Sequence, residues 1–353
     1  MESYRENSAR LESNTVMKSK IKQSIVMAIL IAALFGVAIV SLCMGQYEVS
    51  SSNVISIILS NFFPVNGDWS DTMYRVIMYN RFPRIIAAVA VGSALSLAGA
   101  AYQGVFRNPL VSPDLLGVSH GACVGAAISI ILGLGYIGNV VLAFFGGLIA
   151  VAITVLFPTL INKKSTIALV LSGVIVGGFF SSILGLLKYI ADPDTELAEI
   201  TYWQLGSLAK IKNESLYVIL PIMIISGLVI YLLRWRINVI SLGESESKAL
   251  GVNLQKERGI IILCSTMLTA SAICISGTIG WIGLTMPHLA RLLVGQDNMN
   301  VIPVSALISA IFLIIVDTAA RNLTGAEIPL SIITGFIGTP FFAFVLVKQK
   351  HSI

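Results

Sequence analysis

Apolar residues in this chain come in ten long runs. They follow neither the alternation of a half-buried strand nor the stripe of a surface helix. The runs cover roughly 24–44, 85–106, 115–134, 137–161, 167–190, 216–233, 259–277, 279–293, 301–320 and 329–347. Nine of them come near the ~20 residues that a helix needs to cross a bilayer. The eighth, Ile279 to Leu293, is short and contains Pro287. It predicts a broken or half-crossing helix, which is tolerated only when buried among others. Between the first two runs, Asn53 to Phe63 predicts a helix lying at the membrane surface. Its apolar residues are Val54, Ile55, Ile57, Ile58, Leu59 and the pair Phe62-Phe63. Small residues such as Gly92-Ser93-Ala94 and Gly99-Ala100-Ala101 recur inside the runs and allow close helix packing. The pattern predicts an all-α polytopic membrane protein with about ten transmembrane helices. A tail at 1–23 precedes one transmembrane domain, 24–348, and a short tail, 349–353, follows it.

Composition agrees. Of 353 residues, 56% are hydrophobic and 12% charged, against about 25% charged in an ordinary soluble domain. The first run, Ser24 to Met44, is longer than the core of an export signal, and no small-x-small cleavage site follows it. Leu42 is too large for the position preceding a lipoprotein cysteine, so the run predicts a retained helix. The net charge of +5 lies between the runs, where it reports topology rather than nucleic-acid binding. With the N-terminus inside, the inner segments hold 16 basic and 8 acidic residues, a balance of +8. The outer ones hold 7 and 10, a balance of −3, and the two give the chain's +5. The inner clusters are Lys18-Lys20-Lys22, Lys163-Lys164, Arg234-Arg236 and Lys348-Lys350. Both termini are therefore expected in the cytoplasm.

Several chemistries are excluded. Cys43, Cys123, Cys264 and Cys274 all lie in apolar runs without a CxxC or Cys/His cluster, so they read as small buried hydrophobes rather than a disulfide or zinc framework. No Gly-Lys pair occurs, so no P-loop exists. There is no HExxH, and His120, His288 and His351 stand apart. Neither a metal nor another cofactor is expected, and the chain does not read as an enzyme. The runs hold almost no ionisable groups. Asp317 and Lys188 sit near outer ends, where their side chains are expected to reach water. Coupling to protons or sodium would require charges at mid-membrane. Energy for pumping would thus come from a separate ATPase. The alternatives are a secondary transporter or a membrane scaffold without an ATPase partner.

One inner segment stands out within the loop 236–258. Ser241-Leu242-Gly243-Glu244-Ser245-Glu246-Ser247-Lys248-Ala249-Leu250-Gly251-Val252 predicts a short helix with an acidic first turn, capped by Ser241 or Gly243 and closed by Gly251. Leu242, Ala249, Leu250 and Val252 would face the membrane domain or a partner. Such a unit is either a rigid lever or a plain connector.

Six motifs in order carry a family resemblance. The first is Arg81-Phe82-Pro83-Arg84, with Gly99-Ala100 and Gln103 after it; the second is Arg107-Asn108-Pro109-Leu110 with Pro113-Asp114-Leu115-Leu116-Gly117-Val118-Ser119-His120-Gly121-Ala122. Trp203-Gln204-Leu205-Gly206-Ser207-Leu208, Leu242 to Val252, and Gly280 to Arg291 follow. Asp317 to Arg321, Glu327-Ile328-Pro329-Leu330 and Gly335 to Phe341 complete the set. From about residue 75 onward the chain closely resembles the permeases of type II ABC importers for iron chelates, haem and vitamin B12. The resemblance implies the ten-helix permease fold of that family, in a bacterial cytoplasmic membrane. It implies a second permease subunit, identical or a sister chain, two ABC ATPase subunits below, and an extracytoplasmic binding protein that delivers an iron-siderophore or related metal chelate. It makes Leu242, Gly243, Glu244, Ala249, Leu250 and Gly251 the ATPase coupling loop. It places Asn108, Pro109 and Leu110, with Ser165 and Thr166, at the cytoplasmic gate.

Three arginines fall on the side where basic residues are scarce: Arg81 and Arg84 before the second run, and Arg321 ending the ninth. Arg81 and Arg84 are three apart and share a face if helical, with Pro83 suited to a first turn. They could snorkel to lipid phosphates. They could also receive carboxylates on their guanidinium forks. The resemblance implies the second role, as docking residues for acidic side chains of the binding protein.

Overall fold

A computed structural model of the chain describes residues 2–61, 63, 64, 67–160 and 165–350. Lys163, Lys164, Phe62 and the end from His351 lie outside the described residues. Among the described residues all regular structure is helical. In chain order the helices are α1 (Glu2–Cys43), α2 (Ser51–Ser60), α3 (Asp71–Arg75), α4 (Phe82–Phe106), α5 (Val118–Ile131), α6 (Gly135–Leu160), α7 (Thr166–Ile190) and α8 (Glu196–Gln204). There follow α9 (Asn213–Leu232), α10 (Arg234–Leu242), α11 (Glu244–Ala249), α12 (Leu254–Ser276), α13 (Ile282–Val294), α14 (Asn298–Asn322) and α15 (Leu330–Lys350). Among the described residues seven stretches are long and apolar enough to cross a membrane, and α5, α13 and α15 are shorter apolar helices. The ten sequence runs thus appear as ten helical segments.

The most buried are the second and seventh runs, α4 and α12, around which α9, α13 and α14 pack. Glycine sets these distances. A Cβ on Gly99 of α4 would overlap the Gly283 carbonyl of α13, and one on Gly125 of α5 would overlap the Leu142 carbonyl of α6. Without a hydrophobic drive between helices in lipid, such close backbone approach supplies the dispersion contacts that hold a bundle together.

Three elements differ from the sequence reading, and the expected surface helix is present as α2. The segment expected as a tail at 1–23 continues the first span as one helix, α1. The second span starts at Asp71, and a π-helical turn, Val76–Arg81, joins α3 to α4. Pro83 still falls in the first turn of α4, which continues directly from that π turn. The wide π turn just before it absorbs the missing N–H and the ring's clash with the preceding turn. The surface helix α2 is capped by the Ser50 hydroxyl, which accepts from the Asn53 N–H. It buries Val54 and Ile57 against the protein, leaving Ile55 and Leu59 exposed. Finally, the third run divides into a 3-10 turn, Pro113–Leu116, and α5.

Three neighbours fix the depth of that turn. The Thr154 hydroxyl of α6 donates to the Leu116 carbonyl (3.0 Å), Gly173 of α7 abuts the Leu115 carbonyl, and Gly283 lies between Pro113 and the Leu95 carbonyl of α4. Thr154 and Gly173 are six and seven residues from their helix ends, about 10 Å at 1.5 Å per residue. The chain thus re-enters the bundle after residue 112, and α5 and α13 begin inside it. Broken backbone at that depth is tolerated where protein surrounds it or a cavity receives it.

Candidate functional site: a bundle with two worked ends and two cavities

At one end the C-terminus of α1, the start of α4 and the end of α14 converge on Arg81, Arg84 and Arg321. The structure brings these arginines together, and all three are buried. Arg81 donates to the carbonyls of Leu42 (2.6 Å) and Tyr47 (2.5 Å). Gly45 makes room for it, since a Cβ there would strike the guanidinium. Arg84 Nε donates to both Asp317 oxygens (2.7 and 2.9 Å), while its two terminal nitrogens form a fork on Glu327 (2.8 Å each). Arg321 pairs with Asp317 (3.3 Å) and donates to the Ser41 carbonyl and hydroxyl (3.1 and 2.9 Å). Asp317, expected to reach water, is instead 1% exposed between two arginines. Neither lipid phosphate nor a free fork is needed to account for these groups. Each guanidinium already holds a partner within the chain, so direct reception of an outside carboxylate requires an exchange.

At the opposite end lie α10 and α11, joined by Gly243 at φ +139. Gly243, not Ser241, occupies the N-cap of α11; the Ser241 hydroxyl turns back to the Asn238 carbonyl. The Ser247 hydroxyl, fully buried, reaches the Val239 carbonyl (2.8 Å) and locks the two helices together. The Val252 N–H bonds to the Ser247 carbonyl and the Gly251 N–H to that of Lys248, with Gly251 at φ +75: a Schellman closure. Glu244 and Lys248 pair across one turn (3.2 Å). The Glu246 carboxyl lies below the usual carboxylate range because its own backbone N–H and the Ser245 hydroxyl donate to it. Val252 is buried, but Leu242 and Leu250 are 61% and 55% exposed, and Ala249 is exposed too. The unit is rigid and offers exposed apolar side chains that nothing among the described residues covers.

Asn108, Pro109 and Leu110 lie at this same end. Arg107 takes the left-handed conformation (φ +51) that ends α4, and Asn108 Oδ1 accepts the Leu110 N–H (2.9 Å) across Pro109. Ser165 caps α7, its hydroxyl accepting from the Ala168 N–H (3.1 Å), and Thr166 is the first helical residue. Each stretch is organised by its own turn.

Between the ends, three backbone segments are stitched together. The Ser207 N–H donates to the Ser276 carbonyl (2.8 Å), the Leu330 N–H to that of Gly206 (2.9 Å) and the Ser331 N–H to that of Leu205 (3.1 Å). Gly206 and Gly277 have positive φ, and a Cβ on Gly277 would overlap the Trp203 carbonyl. Cavities open on both sides of this knot. The deeper one, about 500 Å3, is lined by Asp114, Ser119, His120, Cys123, Gln204 and Thr278 among others. Here Ser119 donates to Asp114 and the Nδ1 of His120 has no partner. The outer one, about 640 Å3, is lined by Tyr136, Glu199, Tyr202, Trp203, Lys210 and Glu327 among others. Sequence reasoning missed both. It placed Asp114 in a connecting motif, whereas the re-entrant turn carries Asp114 inside the bundle.

A family model for the FecCD transport family matches residues 29–348. The chain belongs to the FecCD transport family. It is 38% identical over 316 residues to the molybdate import system permease protein MolB of Haemophilus influenzae, covering 89% of this chain and 93% of that one. It is 34% identical to the hemin transport system permease protein HmuU of Yersinia pestis, over 86% and 92% of the two chains. A solved metal-chelate-type ABC transporter in an inward-facing conformation superposes with a TM-score of 0.83 at 35% identity, covering 92% of this chain and 99% of its own. As a FecCD member this is a multi-pass permease of an ABC importer, a transport component with the type II permease fold.

Proposed function

We propose that this chain forms half of the translocation path of an ATP-driven importer for an iron-siderophore or a related metal chelate such as haem or cobalamin. The observation that carries the reading is the α10–α11 unit. It is locked by Ser247 and closed at Gly251, and it displays Leu242 and Leu250 to a partner. A connector would not need that rigidity, and exposed leucines at a membrane protein's aqueous end mark a contact surface. The partner is a separate ABC ATPase subunit, because the chain itself holds no nucleotide motif.

The balance of basic residues puts the lever end and both termini in the cytoplasm, and the arginine end outside. There an extracytoplasmic binding protein delivers the cargo. A second permease subunit covers exposed apolar residues of α7 such as Leu171, Val174 and Phe179. Asn108 to Leu110, with Ser165 and Thr166, belongs to the cytoplasmic gate. The part of Arg81, Arg84 and Arg321 in docking is to hold α1, α4 and α14 in one rigid outer rim.

Relatives named for molybdate and for hemin make cargo a matter for measurement. The test is reconstitution with the ATPase and binding protein in proteoliposomes, loaded in turn with ferric siderophore, haem, cobalamin and molybdate. ATP-dependent uptake of one metal chelate supports the reading; selective uptake of molybdate alone would replace its cargo.

A further inference from the structure

Asp114 is a carboxylate set deep in the bundle. The re-entrant turn Pro113–Leu116 carries it among α5, α6 and α7, and it lines the cavity of about 500 Å3. Among the described residues, the carboxylate's one hydrogen bond comes from the Ser119 hydroxyl. No lysine, arginine or histidine among them forms an ion pair with it. Asp317 differs on this point, since it lies between two guanidinium groups. A carboxylate within a membrane protein stays charged only beside a counter-cation.

The rest of the lining suits a cation. Gln204, Thr278 and Ser331 bring polar oxygens to the same cavity, and Trp281 brings an indole ring. The hydroxyls of Thr278 and Ser331 donate to the carbonyls of Gln204 and Leu205, so their oxygens remain as acceptors. His120 Nδ1 is buried without a hydrogen bond. Trp281 holds a left-handed backbone (φ +70) at the N-cap of α13, wedged against Gly338 of α15. A residue other than glycine keeps that conformation only where its surroundings enforce it, and such residues cluster at functional sites. Indole faces attract cations, and oxygen ligands suit hard cations rather than soft transition metals. Among the described residues no group of three or more His, Cys, Asp and Glu side chains is placed to hold a metal ion. One carboxylate balances one positive charge. The cavity also has a mouth: Ser181, exposed near the middle of α7, lines it and shares a helix face with the exposed Val174.

We propose that this cavity binds one compact monovalent cation, an alkali ion or a primary ammonium group, seated on Asp114 beside Gln204 and Trp281. A free ion from solution and an ammonium arm carried by the cargo are two sources of the same chemistry. The site goes beyond the importer reading and does not depend on it, because a bound cation neutralises the cavity wall whatever drives transport.

The test has one arm for each source. In the first, the full chain in lipid nanodiscs is unfolded by heat in sodium, potassium or methylammonium chloride, against N-methyl-D-glucamine chloride at equal ionic strength. At least one compact cation is expected to raise the midpoint by a few degrees, saturably. Asp114→Asn should fold without a cation, since no buried charge remains, and should unfold at one midpoint in all the salts. Gln204→Leu keeps the charge and should raise the half-saturating concentration about threefold or more. In the second arm, ATP-driven uptake by the assembled importer is compared for a ferric trihydroxamate with a free amino arm and for the same chelate with that arm acetylated. A preference of about fivefold or more for the amino arm, lost in Asp114→Asn, assigns the site to cargo. A cation-dependent midpoint with equal uptake of the two chelates assigns it to the free ion. Equal wild-type midpoints in all the salts, together with equal uptake of the two chelates, overturn the proposal. A salt effect undiminished in both Asp114→Asn and Gln204→Leu overturns it as well. Absence of any ATP-driven uptake would overturn the importer reading instead, and the midpoints then decide the cation site.

Discussion

The buried charges at the outer end permit a quantitative prediction for Asp317→Asn. The carboxylate is 1% exposed and lies 2.7 Å from Arg84 and 3.3 Å from Arg321. With charge centres about 4 Å apart and an effective dielectric constant near 20, each pairing is worth about 4 kcal/mol before desolvation. Repulsion between the two arginines and the cost of burying the carboxylate offset much of that sum. Breaking a buried pair from one side typically leaves a loss of about 3–5 kcal/mol, because the remaining cation stays buried and uncompensated. Asn keeps the shape, so the loss is electrostatic. Glu327 has a side chain 37% exposed, so Glu327→Gln should lose only about 1 kcal/mol, water screening the change. Arg84→Gln added to Asp317→Asn should recover part of the loss, with a coupling of about 2 kcal/mol or more. Equilibrium unfolding in mixed micelles with increasing SDS, followed by tryptophan fluorescence, measures five proteins: wild type, Asp317→Asn, Arg84→Gln, their combination and Glu327→Gln. A loss below about 1 kcal/mol for Asp317→Asn, or strict additivity with Arg84→Gln, would refute the assignment of this cluster as the fastener of the outer rim.

Three further outcomes are expected. Gly99→Val should prevent stable assembly, because its side chain would overlap the Gly283 carbonyl of a neighbouring helix; monodisperse protein at wild-type yield would contradict the packing. Leu242→Asp with Leu250→Asp should leave unfolding within about 0.5 kcal/mol of wild type, since both side chains are exposed, yet abolish co-purification of the ATPase. In a variant free of native cysteines, a cysteine at position 195 should label from outside intact cells and one at 248 only after permeabilisation; labelling of both from outside would contradict the topology.

Much of the fold was legible because burial in lipid removes ambiguity: a run of 20 apolar residues has few other destinations. The ten runs and the short eighth helix followed from that rule alone. The helical unit at 241–252 was legible by a different rule, through its Gly243 and Gly251 punctuation. Partnerships across the bundle were not legible. Arg84 meets Asp317 and Glu327 over more than 230 positions, and no local pattern encodes such a meeting. Arg81, Arg84 and Arg321 were recognisable as unusual for their side of the membrane, but their inward orientation depends on where the carbonyls of Leu42 and Tyr47 come to rest. Asp114 was hidden for a different reason. A motif rich in Pro and Gly reads as a surface turn, and only the neighbours Thr154, Gly173 and Gly283 reveal that this turn lies inside the bundle.

The central claim is that this chain is a conduit driven by a separate ATPase and fed by a separate binding protein. Uptake of a ferric chelate into proteoliposomes, with each component omitted in turn, tests it most directly. The account predicts uptake only when permease, ATPase, binding protein and ATP are all present. Uptake by the permease alone, driven by an ion gradient, would contradict it.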